Sequence, residues 1–132
     1  MNIVLAIVLV VHGLIHLLGF TKAFGLAELP QLTEPISAWF GILWLLAALL
    51  FLSTAAALLV WPRGWWAIGA GAITVSMFVV IPSWADGKFG ALGNAVALVG
   101  VIFGFLAHGP ISLRAAYDRD VDRALAQSRR PS

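Results

Sequence analysis

The chain of 132 residues contains no cysteine. That excludes disulfides, a thiolate nucleophile, iron–sulfur ligation and cysteine-based zinc sites. Charge is scarce as well. Lys and Arg number 8, Asp and Glu 6, together 11% of the residues, against roughly a quarter in ordinary soluble domains. So few charges cannot cover the surface of a water-soluble globule of this length, which excludes a soluble enzyme. With 13 Gly and 6 Pro, collagen-like and other Gly/Pro-dominated classes fall too. Disorder is excluded by what stands in place of charge: 61% of the residues are hydrophobic, and the mean hydropathy is +0.98. What remains is an integral membrane protein of one domain. The basic excess sits mostly near the C-terminus, where it bears on membrane orientation rather than on nucleic acid.

Four apolar stretches are present, at about Ile3–Phe20, Ala38–Val60, Trp65–Ile81 and Ala91–Ala107. Each has about 17–23 residues, the length a helix needs to cross the hydrocarbon core, and none contains Asp, Glu, Lys or Arg. β-Barrel strands are shorter and alternate polar with apolar residues. The stretches therefore predict helices, which satisfy their own backbone hydrogen bonds in lipid. The links carry turn residues: Pro30 and Pro35 between the first two, Trp61-Pro62-Arg63-Gly64 between the next two, and Pro82 to Gly90 between the last two. His108-Gly109-Pro110 stops the fourth. The expected fold is all-α, a four-transmembrane-helix antiparallel bundle over residues 1–109, followed by a tail over 110–132.

Orientation follows from the basic residues. Arg63, Arg114, Arg119, Arg123, Arg129 and Arg130 share one side; Lys22 and Lys88 share the other. The bias predicts both termini in the cytoplasm. Trp61, Trp65 and Trp66 are expected at the inner interface, Trp39 and Trp84 at the outer one. A cleaved signal peptide is disfavoured by an uncharged Met1-Asn2 start, and no lipid-anchor motif is present. In the tail, Leu113, Tyr117, Val121 and Leu125 recur every four residues, which predicts a short cytoplasmic amphipathic helix fraying after Gln127. Arg114 with Asp118, and Asp120 with Arg123, are spaced for pairing on it. The acidic residues Asp118, Asp120 and Asp122 favour a solvated helix over one adsorbed to anionic lipid.

Chemistry-bearing residues are few. His12 and His16 stand one turn apart inside the first span, on one helix face. Such a pair can hold a metal, bind haem, contact quinone or relay protons. It can equally be two neutral histidines bonded across helices to Ser, Thr, Asn or backbone carbonyl. Gly13, not Glu, follows His12, so the zinc-protease pattern is absent. His108 lies at the far end of the fourth span, at least about 10 Å from the level of His12, so a haem held between the two is not expected. A second group is Trp84, Asp86, Lys88 and Asn94. With His12 and His16 they predict an outward-facing polar pocket for a cofactor, Asp86 accepting a bond from His16. The structural alternative has Asp86 capping the fourth helix or pairing with Lys88. Gly93, Ala97, Gly100 and Gly104 form a small-residue face for close packing, within the bundle or across a homodimer or membrane-complex interface.

The run His12-Gly-Leu-Ile-His16-Leu-Leu-Gly19-Phe20, then Lys22-Ala-Phe24, Ser37 and Trp44-Leu-Leu-Ala-Ala, and finally Trp84-x-Asp86-x-Lys88-Phe89-Gly90-x-x-x-Asn94, resembles a family of small bacterial four-helix membrane proteins without assigned function. In some members a similar module precedes a soluble domain. The resemblance covers about residues 1–107. Gly87 and Ala91 depart from the Ala and Thr common there. More distantly, Gly19-Phe20-x-Lys22 is similar to the DoxX-like group, some of which are linked to redox physiology. The resemblance implies the bundle, a bacterial inner membrane and the two polar motifs, but no reaction. The expected function is a non-enzymatic accessory or scaffold subunit among membrane lipid. The alternatives are a redox- or metal-associated protein using His12 and His16 with quinone, haem or metal, and a small dimeric transporter. The last lacks the acidic residue buried in a span that proton-coupled export needs.

Overall fold

The computed structural model describes residues 2–129. The described chain is helical, with no strand. Five helices follow in order: α1 Asn2–Ala23, α2 Ala38–Val60, α3 Trp65–Val80, α4 Trp84–His108 and α5 Leu113–Ser128. Three stretches, those of α1, α2 and α4, are long and apolar enough to cross a membrane. The fourth apolar helix, α3, has 16 residues and is about 24 Å long, short of a ~30 Å hydrocarbon core. Helices α1 to α4 pack in sequence, and α4 returns to α1 to close the ring.

The inward stripes are small and polar, the outward faces apolar. On α1, Ala6, Leu9, His12, Gly13, His16 and Gly19 are buried at helical spacing. Ile3, Val4, Ile7, Val11, Leu14 and Leu18 face out, exposed. A fold built for water has the opposite distribution. The core runs from Leu9, Phe51, Leu58 and Trp65 through Ala72, Ala97 and Val101 to Trp44, Val79 and Val80.

The helix ends show why the boundaries fall where they do. Helix α1 runs three residues past Phe20 and ends in a Schellman motif. Leu26 N–H bonds Thr21 C=O at 2.8 Å and Gly25 N–H bonds Lys22 C=O at 3.1 Å, with Gly25 at φ 64°. Ser37 caps α2, its hydroxyl accepting from Phe40 N–H. The expected loop from Pro82 to Gly90 is instead a three-residue turn, Ile81 to Ser83, and Trp84 to Gly90 are already helical. Gly87 and Gly90 read as turn formers; both are helical and face Val80, which a Cβ on either would meet at an ordinary contact distance of 3.4–3.5 Å. Asp86 therefore stands in the first turn of α4, where a carboxylate suits the helix dipole.

Helix α5 starts at a Ser112 cap, touches only α4 and buries none of its residues. Leu113, Tyr117, Val121 and Leu125 are all exposed. Of the two expected pairs, Arg123–Asp120 forms, at 3.2 Å; Arg114 and Asp118 do not pair. Arg119 instead donates to Pro110 C=O at 2.9 Å. Arg130, counted for orientation, lies outside the described residues. Trp65, expected at an interface, is buried against Gly104, where a Cβ would lie 2.4 Å from the indole.

Candidate functional site

His12 and His16 both turn inward from α1, and they are 5% and 1% exposed. Their rings are 4.7 Å apart, edge to face. The expected pocket partner of His16 was Asp86, but the structure gives it Ser76 of α3. His16 Nε2 lies 2.7 Å from Ser76 Oγ. His16 Nδ1 lies 3.0 Å from the His12 carbonyl oxygen. A carbonyl only accepts, so Nδ1 carries the proton. Nε2 is then the acceptor, and the Ser76 hydroxyl donates to it. Asn94 of α4 completes the set. Its amide donates to Ser76 Oγ at 2.8 Å, and its Oδ1 accepts from His12 Nε2–H at 3.0 Å.

The bonds form a directed circuit: His12 ring to Asn94, Asn94 to Ser76, Ser76 to His16, and His16 back to the His12 carbonyl. It is complete with both imidazoles neutral, and it ties α1 to α3 and α4. Ser76 and Asn94 are 0% and 3% exposed, so an unpaired group here would carry its full desolvation cost. Met77 Sδ, 3.2 Å from the Asn94 amide, takes a further contact. Phe51 of α2 stands edge-on to His12 at 4.6 Å, and Trp44 lies 5.1 Å from His16. The glycines beside the circuit allow the approach. A Cβ on Gly93 would come 2.3 Å from His12 Nδ1, and one on Gly19 would come 2.2 Å from the Trp44 ring. The face Gly93, Ala97, Gly100 and Gly104 is thus turned toward His12, Leu5 and Trp65 within the chain.

Asp86 does other work. Its carboxylate accepts from the Thr33 hydroxyl and from Glu34 N–H, each at 2.8 Å. The link between α1 and α2 is thereby fastened to the start of α4, and Lys22 donates to the Leu32 carbonyl within the same link. The Glu34 amide, the Thr33 hydroxyl and the nearby Lys22 charge hold the Asp86 carboxyl below its ordinary value. Asp86 neither caps α4 through its side chain nor pairs with Lys88, whose ammonium sits 5.7 Å from the Phe89 ring centre. Trp84 is exposed.

Two cavities lie at opposite ends of the ring. At the Asp86 end, about 150 Å³ is enclosed by His12, His16, Gly19, Trp44, Val80 and Phe89, with Glu34 and Asp86 at the rim. His12, His16 and Asp86 are on the wall of this cavity, which is mainly apolar rather than the polar pocket expected. Asn94, Lys88 and Trp84 do not line it. At the His108 end, about 500 Å³ opens between Val4, Leu5 and Val8 of α1 and Val99, Phe103 and Gly104 of α4. His108 borders that space 14 residues beyond Asn94, about 21 Å along the helix, so His12 and His108 do stand at different levels. No group of three or more potential metal-ligating side chains occurs among the described residues.

Trp44 is the site residue that chain order concealed; Ser76 belongs to the polar side chains expected to bond helices together. A signal for Ser76 was present: it is the polar member of the buried α3 stripe Trp65, Gly69, Ala72, Ser76, Val79. Comparison with family models, curated proteins and solved structures gave no match to this chain.

Proposed function

We propose that the chain is an integral protein of a bacterial inner membrane, an antiparallel four-transmembrane-helix bundle with both termini cytoplasmic, acting as a non-catalytic accessory or scaffold subunit. Kinship with the small four-helix bacterial membrane proteins suggested by the His12–Phe20 and Trp84–Asn94 motifs belongs to the same proposal. The carrying observation is the closed circuit of His12, Asn94, Ser76 and His16. It occupies the lone pair of His16 and joins three helices, which is what buried polar side chains do as interhelical glue. Apolar outward faces on α1 and α4 suit a lipid surround. The short α3 is compatible with it, because a bundle accommodates mismatch by local thinning or by flanking residues.

The test is made on protein purified in mild detergent without a His tag. Membrane integration is checked by resistance to alkaline carbonate extraction, and orientation by reporter fusions after Ser132 and within residues 24–36. An absorbance spectrum and elemental analysis are taken on the same sample. A colourless, metal-free protein that co-purifies with a defined membrane partner supports the reading. A Soret band or stoichiometric metal, lost in His16→Ala, replaces it with the redox- or metal-associated alternative.

A further inference from the structure

The gap of about 500 Å³ at the His108 end is a groove between α1 and α4. Leu58 and Trp65, both buried, form its floor, and Val4, Val99 and Phe103, all exposed, form its lips. It therefore opens sideways, toward whatever surrounds the bundle. Along α4 the lining runs from Val96 to His108, about 18 Å of helix. That is close to the hydrocarbon depth of one leaflet, half of ~30 Å. Apart from Asn2 and His108 at one end, the lining side chains are aliphatic or aromatic, and no carboxylate is among them.

The dimensions limit the occupant. A helix is about 10 Å across, and 18 Å of it would fill on the order of 1,400 Å³, far beyond the gap. A cavity of about 150 Å³ holds one six-carbon ring, so this one has room for roughly 18 carbons. A long, narrow, apolar space of that capacity suits a single acyl chain, which restores the dispersion contacts that empty walls forfeit. Charge selects the headgroup. Pro62 lines the groove and Arg63 follows it, while Arg114 begins α5 just beyond the His108 end of α4. Both arginines are exposed, and neither forms an ion pair among the described residues. Asp118, Asp120 and Asp122 lie further along α5. A guanidinium matches phosphate in shape and charge. We propose that the α1–α4 groove binds one acyl chain of an anionic phospholipid, with the headgroup phosphate at Arg63 and Arg114. The site rests on the membrane reading given above and is independent of the accessory-subunit role.

Native mass spectrometry of the full chain released from mild detergent tests this. The probes are dioleoyl phosphatidylglycerol and dioleoyl phosphatidylcholine, which share acyl chains and differ in net charge. One phosphatidylglycerol is expected to stay bound per chain, about tenfold tighter than phosphatidylcholine. Arg63→Gln combined with Arg114→Gln should bring the two lipids level. Val8→Trp puts a large ring into the groove and should weaken phosphatidylglycerol more than about tenfold, with helicity and elution volume unchanged. Should Val8→Trp not fold, Val99→Trp at the exposed lip serves. Equal binding of the two lipids to the native chain, a preference retained without the arginines, or binding unchanged in the filled groove overturns the proposal. A dimer that sheds the lipid as it forms assigns the groove to a second copy and overturns it too. Alkaline carbonate extraction separates this site from the reading beneath it. A chain that resists extraction but holds no phosphatidylglycerol loses the site alone; a chain that is extracted loses the membrane reading and the site with it.

Discussion

The two ends of the helix ring enclose empty space in different ways. At the Asp86 end, α1 and α4 come together with Gly93 against the His12 ring, the polar circuit holds them, and a fastened link covers a cavity of about 150 Å³. At the His108 end, the same two helices face each other through Leu5, Val8, Val99 and Phe103 across an apolar gap of about 500 Å³. No inter-residue polar bond of a side chain crosses between them there among the described residues, and the buried His108 Nδ1 has no partner. The difference has a physical cause. In the lipid surround proposed for the bundle, apolar side chains would gain little by preferring each other over acyl chains. Close approach must come from small residues and hydrogen bonds, and only one end has both.

The first way to break that contrast is His16→Ala. It removes a ring that is 1% exposed, leaves a cavity and orphans the Ser76 hydroxyl. A loss of about 3 kcal/mol is expected, read as a large fall in thermal midpoint in detergent. Next come paired glycine substitutions. Gly93→Val pushes a rigid His12 held in the circuit and should cost about 1–3 kcal/mol. Gly100→Ala meets only the flexible tip of Leu5, at 2.9 Å, beside open space, and should stay within about 0.5 kcal/mol. Equal costs at the two positions would erase the distinction between the ends.

The smallest effect is expected at the half-buried Asp86 fastening. Its folded pKa is lowered, so its contribution is fully present above the ordinary carboxylate pKa and is lost as pH falls through the lowered folded value. Hydrogen exchange at the Glu34 amide should be faster in Asp86→Ala than in the native chain at neutral pH. The two should converge in acid below the ordinary carboxylate range. A difference that persists there would mean the bond to Glu34 does not depend on the charge.

Much of the architecture was legible in the chain itself. The second apolar stretch was read at Ala38–Val60, the bounds of α2, because Ser37 and Pro62 punctuate it. The His12/His16 face was legible from the i, i+4 spacing, and their burial follows from the small residues that share the face. The start of α4 is not legible, since Gly87 and Gly90 signal a turn by local chemistry while residues 84–90 are helical. Chain order puts His16 and Asp86 near one end of the bundle but carries no helix rotation, and it is Ser76, 60 residues along the chain, that comes within hydrogen-bond distance of His16.

Composition by itself determined that the chain is helical with apolar exteriors: a segment poor in charge and rich in Leu, Val, Ala and Ile can satisfy its backbone only internally when its surroundings are apolar. Periodicity determined which face of α1 turns inward. Only the tertiary structure decided which buried polar groups meet. Hydrogen-bond partners are set to within a few tenths of an ångström by the rotation of each helix and by glycines that let rings pass, and chain order carries no record of those distances. The same limit hid the unpaired Trp44 N–H, because a missing partner becomes visible only when every neighbour has been placed.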